Sequence, residues 1–149
     1  MTIDLRRVNL LTERVIGAAI KVHKALGPGG LLESVYQSCL VFELRRIGLA
    51  VRANVPLPVI YEDVRLDLGF RLDAVVEDYL VLELKSVKKL VAIHDAQVLT
   101  YLKLSGFAIA LLINFNVVLL KQGVRRLINP NPAERFRDGY SPANENSLR

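Results

Sequence analysis

Alternation of apolar and polar residues is clearest between residues 66 and 85. In a strand over Leu80–Lys85, Leu82 and Leu84 face one side while Glu83 and Lys85 face the other. The segment before it alternates too, with Leu66, Leu68, Phe70 and Leu72 on one face and Asp67, Gly69, Arg71 and Asp73 opposite. Between them Glu77-Asp78-Tyr79 reads as a short hairpin loop. If that loop is three residues long, Val76 pairs with Leu80 and Asp73 lies directly across from Glu83. A loop of two or four residues would mix polar and apolar faces along both strands.

The same patterning predicts the other elements. Thr12 caps a helix whose apolar positions are Val15, Ile16, Ala19, Ile20, Val22 and Leu26, and Gly27-Pro28-Gly29-Gly30 stops it. A second helix spans residues 31–47, closed by Gly48, with an apolar stripe of Leu32, Val35, Leu40, Leu44 and Ile47. Extended segments over residues 50–61 and 64–76 flank Glu62-Asp63, and with residues 80–87 they form an antiparallel meander. Pro56 and Pro58 place the first of these at a sheet edge or make it irregular. A third helix over residues 92–104 carries His94, Gln97 and Tyr101 as one polar stripe. Residues 107–114 read as a strand buried on both faces, residues 117–121 as another, and Arg125 with Arg126 as a small basic patch. One domain over residues 1–132 is expected, followed by a flexible polar tail over residues 133–149.

Chemistry enters at the hairpin. Directly opposed residues hold their Cβ atoms about 4.5–5.5 Å apart, and two carboxylates there repel. Lys85 could balance them, and a divalent cation with hard oxygen ligands balances them better. The same spacing also fits two solvated charges on a half-exposed hairpin. Glu33 and Tyr36 are neighbours near the start of the second helix, where a glutamate also simply complements the helix dipole. Arg71 shares the face of Asp73 and suits either a flanking phosphate or a surface ion pair. His23 reads as structural or exposed rather than as a ligand, having no second histidine at metal-ligand spacing. The glycine cluster lacks a phosphate-cradling P-loop.

Composition narrows the class. The 149 residues, 52% of them hydrophobic, suffice for one domain with a sizeable core. Cys39 is the only cysteine, which excludes an intrachain disulfide and suits a reducing compartment. The first residues lack a signal-peptide pattern, and the apolar run over residues 107–120 is interrupted by Asn114 and Asn116, so a cytoplasmic protein without a membrane segment is expected. A net charge of +5 points to an anionic partner such as nucleic acid.

Several motifs in order resemble a known family. Gly30-Leu31-Leu32-Glu33-Ser34-Val35-Tyr36 is similar to the signature of the GxxExxY proteins, which belong to the PD-(D/E)XK nuclease-like superfamily. The resemblance runs from Val15 to about Arg126. It takes in R-L-D at Arg71, Leu72 and Asp73, E-L-K at Glu83, Leu84 and Lys85, the stretch I-H-D-A-Q-V-L-T-Y-L at residues 93–102, and L-I-N-F at residues 112–115. Leu72 stands where the superfamily's name has proline. The resemblance implies an α/β fold with a restriction-endonuclease-like core, a central mixed β-sheet flanked by helices. It further implies a nuclease that uses Mg²⁺ or Mn²⁺ to hydrolyse phosphodiester bonds, with DNA favoured over RNA and a homodimer expected by fold analogy. On that analogy Asp73, Glu83 and Glu33 hold the metal and Lys85 positions or activates the attacking water. Gln97, Tyr101, Tyr36, His94 and Arg71 support the site or touch nucleic acid. The alternatives are a nucleic-acid-binding module that does not cut, and a subunit that uses the fold to engage protein partners.

Overall fold

The computed structural model describes residues 5–137. Helix α1 (Leu5–Leu26) buries Val8, Leu11, Val15, Ala18, Ala19 and Val22, a stripe at spacings of three and four that begins before Thr12. Thr12 therefore lies inside the helix, buried, with its hydroxyl donating to the Asn9 carbonyl, and it is not the cap. Helix α2 (Glu33–Arg46) starts later than the pattern suggests and buries Tyr36, Leu40, Val41 and Leu44. Leu32, Val35 and Ile47 of the expected stripe are exposed, because the side that meets α1 and the sheet is turned toward Tyr36. Gly48, at φ +88°, ends the helix in the left-handed region that glycine enters freely.

Five strands form the main sheet in the order β1-β4-β5-β6-β7: β1 (Val51–Pro56), β4 (Arg71–Val76), β5 (Leu80–Lys85), β6 (Ile109–Asn114) and β7 (Val124–Ile128). The β1-β4-β5 meander is antiparallel, β5 and β6 run parallel, and β7 returns antiparallel. Helix α3 (Ala92–Ser105) makes the crossover between the two parallel strands, and Gly106 closes it at φ +79°. All six residues of β6 are buried, so both faces of the sheet are covered there. Strand β1, with its proline, lies at the edge.

The hairpin register is the one face parity selects. Val76 pairs with Leu80 and Ala74 with Leu82, and the Tyr79 amide donates to the Val76 carbonyl at 3.0 Å across the turn. The strand before it is shorter than alternation suggests. Residues 67–70 leave the sheet, and β2 (Val59–Tyr61) pairs with β3 (Val64–Leu66) in a separate two-stranded ribbon. Gly69, at φ +79°, breaks the extended backbone, and the Leu57 amide donates to the Phe70 carbonyl at the neck of the ribbon. Leu66, Leu68 and Phe70 are consequently exposed, whereas Leu72 is buried.

Residues 117–121 do not form a strand. The slot beside β6 belongs to β7, which pairs from Ile113 and Val124 onward, so the chain reverses in between through a 3-10 turn, Leu120–Gly123. A Cβ at Gly123 would collide with the carbonyl oxygen of Asn114 and press on a methyl of Val117. Gly123→Ala is therefore expected to cost about 2–3 kcal/mol, read as a lower urea midpoint at unchanged slope.

Arg125 and Arg126 lie on β7 and are already engaged, Arg125 with Asp95 and Arg126 with Asn9, each at 2.6 Å. The first residues of the expected tail pack on the domain: Phe136 is buried against Phe107 and Tyr79, and the Ala133 amide donates to the Gly106 carbonyl. Residues 138–149 of that stretch lie outside the described ones. No helix among the described residues is long and apolar enough to cross a membrane.

Candidate metal and nucleic-acid site

Strands β4 and β5 diverge at one end, and the polar residues collect there. Their ladder stops at Ala74 and Leu82, and carrying its register one residue further sets Asp73 against Glu83. Asp73 takes over the role of the missing strand partner, its Oδ2 accepting the Leu84 amide at 2.8 Å. Glu83 and Lys85 alternate on β5 and so share a face, with Lys85 Nζ 3.6 Å from Glu83 Oε1.

Burial gives these groups unusual electrostatics. Glu83 is only 6% exposed, and its Oε2 is buried with no hydrogen-bond partner. Desolvation pushes its carboxyl up to about 8; the charge of Asp73 adds to this, Lys85 opposes it, and Glu33 pushes the same way. Asp73 is raised as well, chiefly by burial, with the Leu84 amide pulling it back, Glu33 raising it and Lys85 lowering it. The Tyr101 hydroxyl is raised by burial and then by the negative charge of Glu83.

These couplings fix which sequence-predicted residues come together. Asp73 and Glu83 lie within electrostatic reach of each other, of Lys85 and of Tyr101, and Glu33, exposed at the first turn of α2, acts on both sheet carboxyls through its charge. Gln97 donates to the Tyr101 hydroxyl at 3.1 Å, which leaves that hydroxyl's own hydrogen to give. His94 is occupied elsewhere, since its Nδ1 accepts the Val91 amide at 2.9 Å and caps α3. Tyr36 is fully buried, its ring stacked on Phe115 at 4.5 Å, so it supports the fold beneath the site and offers nothing to a nucleic acid at the surface. Arg71 is exposed at the start of β4 on the side of Asp73. His23 is structural, its buried ring donating Nε2–H to the Val117 carbonyl at 2.7 Å.

Sequence reasoning missed Gln37. Its amide reaches the backbone of Asp73 from α2, and its position four residues after Glu33, on the same helix face, was the available signal.

The donor set fits a hard divalent cation. Two carboxyls converge, one with an unpartnered buried oxygen, and a cation beside them would offset the desolvation and repulsion that raise both. Among the described residues no three His, Cys, Asp or Glu side chains gather into a complete cage. Glu33, expected as a third ligand, is not gathered with Asp73 and Glu83 into such a group.

A five-stranded mixed sheet flanked by helices is the architecture of a restriction-endonuclease-like fold. The chain belongs to the PD-(D/E)XK nuclease superfamily, whose family model matches residues 9–127. No curated protein and no solved structure matches it.

Proposed function

We propose that this protein is a nuclease of the GxxExxY kind that hydrolyses phosphodiester bonds with Mg²⁺ or Mn²⁺, acting on DNA in preference to RNA. The observation that carries the reading is the buried, unpartnered Oε2 of Glu83 beside Asp73, a costly arrangement that a cation would relieve. Asp73 and Glu83 would hold the metal, and Glu33 would add negative charge from α2. The metal, when bound, supplies polarisation of the phosphate and a more acidic water.

The chain's own residues do the rest. Lys85 balances the acid pair and holds the attacking water by hydrogen bonding from its ammonium. Tyr101, oriented by Gln97 and kept protonated by its surroundings, donates toward the phosphate side of the site. Arg71, exposed on the side of Asp73, would meet a flanking phosphate. The net charge of +5 favours the encounter with a polyanion.

The test is incubation of the purified protein with single-stranded, duplex and branched DNA and with RNA, in Mg²⁺ and in Mn²⁺. Cleavage is expected on at least one DNA substrate and is expected to disappear on chelation. Products that persist in Glu83→Ala would come from a contaminant. Salt-dependent binding with no cleavage of any substrate would replace the nuclease with a binding module.

A further inference from the structure

We infer that Gln37 is the positioning residue of the acid pair, setting the backbone of Asp73 so that its carboxyl reaches the site; this rests on the metal-site reading above. Gln37 is half-buried on α2, and its single amide nitrogen donates twice, to the Asp73 carbonyl at 2.8 Å and to Asn54 Oδ1 at 2.9 Å. A side-chain amide has two hydrogens, so each acceptor takes its own and the Asp73 bond does not depend on Asn54.

The local backbone shows why the link is needed. On β1, Ala53 pairs with Ala74 and Val55 with Leu72, so Asn54 faces Asp73, yet that pair is absent from the ladder. Asn54 sits instead at φ +52°, in the left-handed region that strand residues other than glycine seldom enter. The ladder is thus opened at the residue that bears the candidate ligand, and the helix supplies the donor to its carbonyl. On the other side, Asp73 Oδ2 is tied to the Leu84 amide. Asp73 is held at its carbonyl by α2 and at its carboxyl by β5. Loosening the first hold frees the second.

The Leu84 amide therefore reports on Gln37 with no metal present. In the full-length protein, Gln37→Met keeps the side-chain length and removes both donors. Hydrogen exchange at Leu84 is expected to speed up about tenfold or more relative to Val98 and Leu102 in α3, and the Mn²⁺ dissociation constant, read by electron paramagnetic resonance, to rise about tenfold. Asn54→Gly keeps the left-handed backbone and the Asp73 contact, and is expected to stay within about twofold on both readings. Gln37→Leu, which also removes both donors and adds no charge, takes the same readings if Gln37→Met does not fold.

Parent-like exchange at Leu84 in the Gln37 variants would overturn the assignment. So would an equal loss in Asn54→Gly, which would place the effect in β1. If the parent binds no Mn²⁺, the metal reading fails, while exchange at Leu84 still decides the role of Gln37.

Discussion

Glu83→Gln is expected to lower phosphodiester cleavage by about 10³-fold or more while making the metal-free protein more stable at neutral and alkaline pH. The two effects share a cause. In the folded chain Glu83 holds its proton up to about pH 8, against an ordinary value of 4.5. Between those values the folded state binds a proton that the unfolded chain has released, so stability falls as pH rises through the window and levels off above it. Each pKa unit corresponds to about 1.4 kcal/mol, and glutamine, uncharged throughout, escapes the penalty apart from what it forfeits in contact with Lys85. The measurement is thermal melting of both proteins from pH 4 to pH 9, with and without Mn²⁺. Glutamine is expected to gain over glutamate progressively above about pH 4.5 without metal, and Mn²⁺ to raise the melting temperature of the parent alone. A variant that melts lower than the parent at pH 8 would show that the carboxylate is not held at a cost.

Lys85→Met is expected to lower turnover by about 10²–10⁴-fold at saturating Mn²⁺, the range associated with loss of a positioned proton-handling group. Its ammonium lies 3.6 Å from Glu83 and depresses the carboxyls of both Glu83 and Asp73. Without it both acids bind protons more tightly, and metal must compete with those protons. The expected signature is a Mn²⁺ affinity that requires higher pH than in the parent, together with a loss of turnover that added metal does not recover. Lys85→Arg keeps the charge but replaces a compact ammonium by a planar fork, so it is expected to restore the pH dependence of metal binding and little of the rate. Full recovery of rate by excess Mn²⁺ in Lys85→Met would assign the lysine to metal binding alone.

The hairpin was legible because parity is a strict constraint: a loop of two or four residues would set Asp73 against a leucine, whereas three residues set it against Glu83. The buried strand β6 was legible from its unbroken apolar run. Other features depend on long-range contacts that leave no periodic trace. Alternation through Gly69 suggests a continuous strand, whereas its positive φ breaks the extended backbone between the ribbon and the sheet. Val118 and Leu119 resemble strand residues, but β7 takes their place beside β6 and leaves them exposed. Phe136 sits in a polar, proline-containing stretch and is buried because Phe107 and Tyr79 are close by.

The site was partly legible for the same reason. Polarity placed Glu83 on the face of Asp73, but alternating strands usually turn that face to water, so the burial of Glu83 was not readable from its spacing. The side-chain hydrogen bonds that organise the site, from Leu84 to Asp73 and from Gln37 to its carbonyl, bridge residues 11 and 36 positions apart. His94 lies on the same helix as Gln97 and Tyr101 and looked equivalent to them in sequence. Its ring nitrogen is instead engaged in capping that helix.

Whether Asp73 and Glu83 hold a cation is decided by anomalous scattering from a crystal of the full-length protein soaked in Mn²⁺, at a pH above 8 where Glu83 is ionised. One strong peak is expected with a carboxylate oxygen of Asp73 and Oε2 of Glu83 at about 2.1 Å, water completing the shell, and no such peak in Glu83→Gln. An empty cleft between β4 and β5, with Glu83 Oε2 still unpartnered in fully loaded crystals, would contradict the metal site and the nuclease built on it.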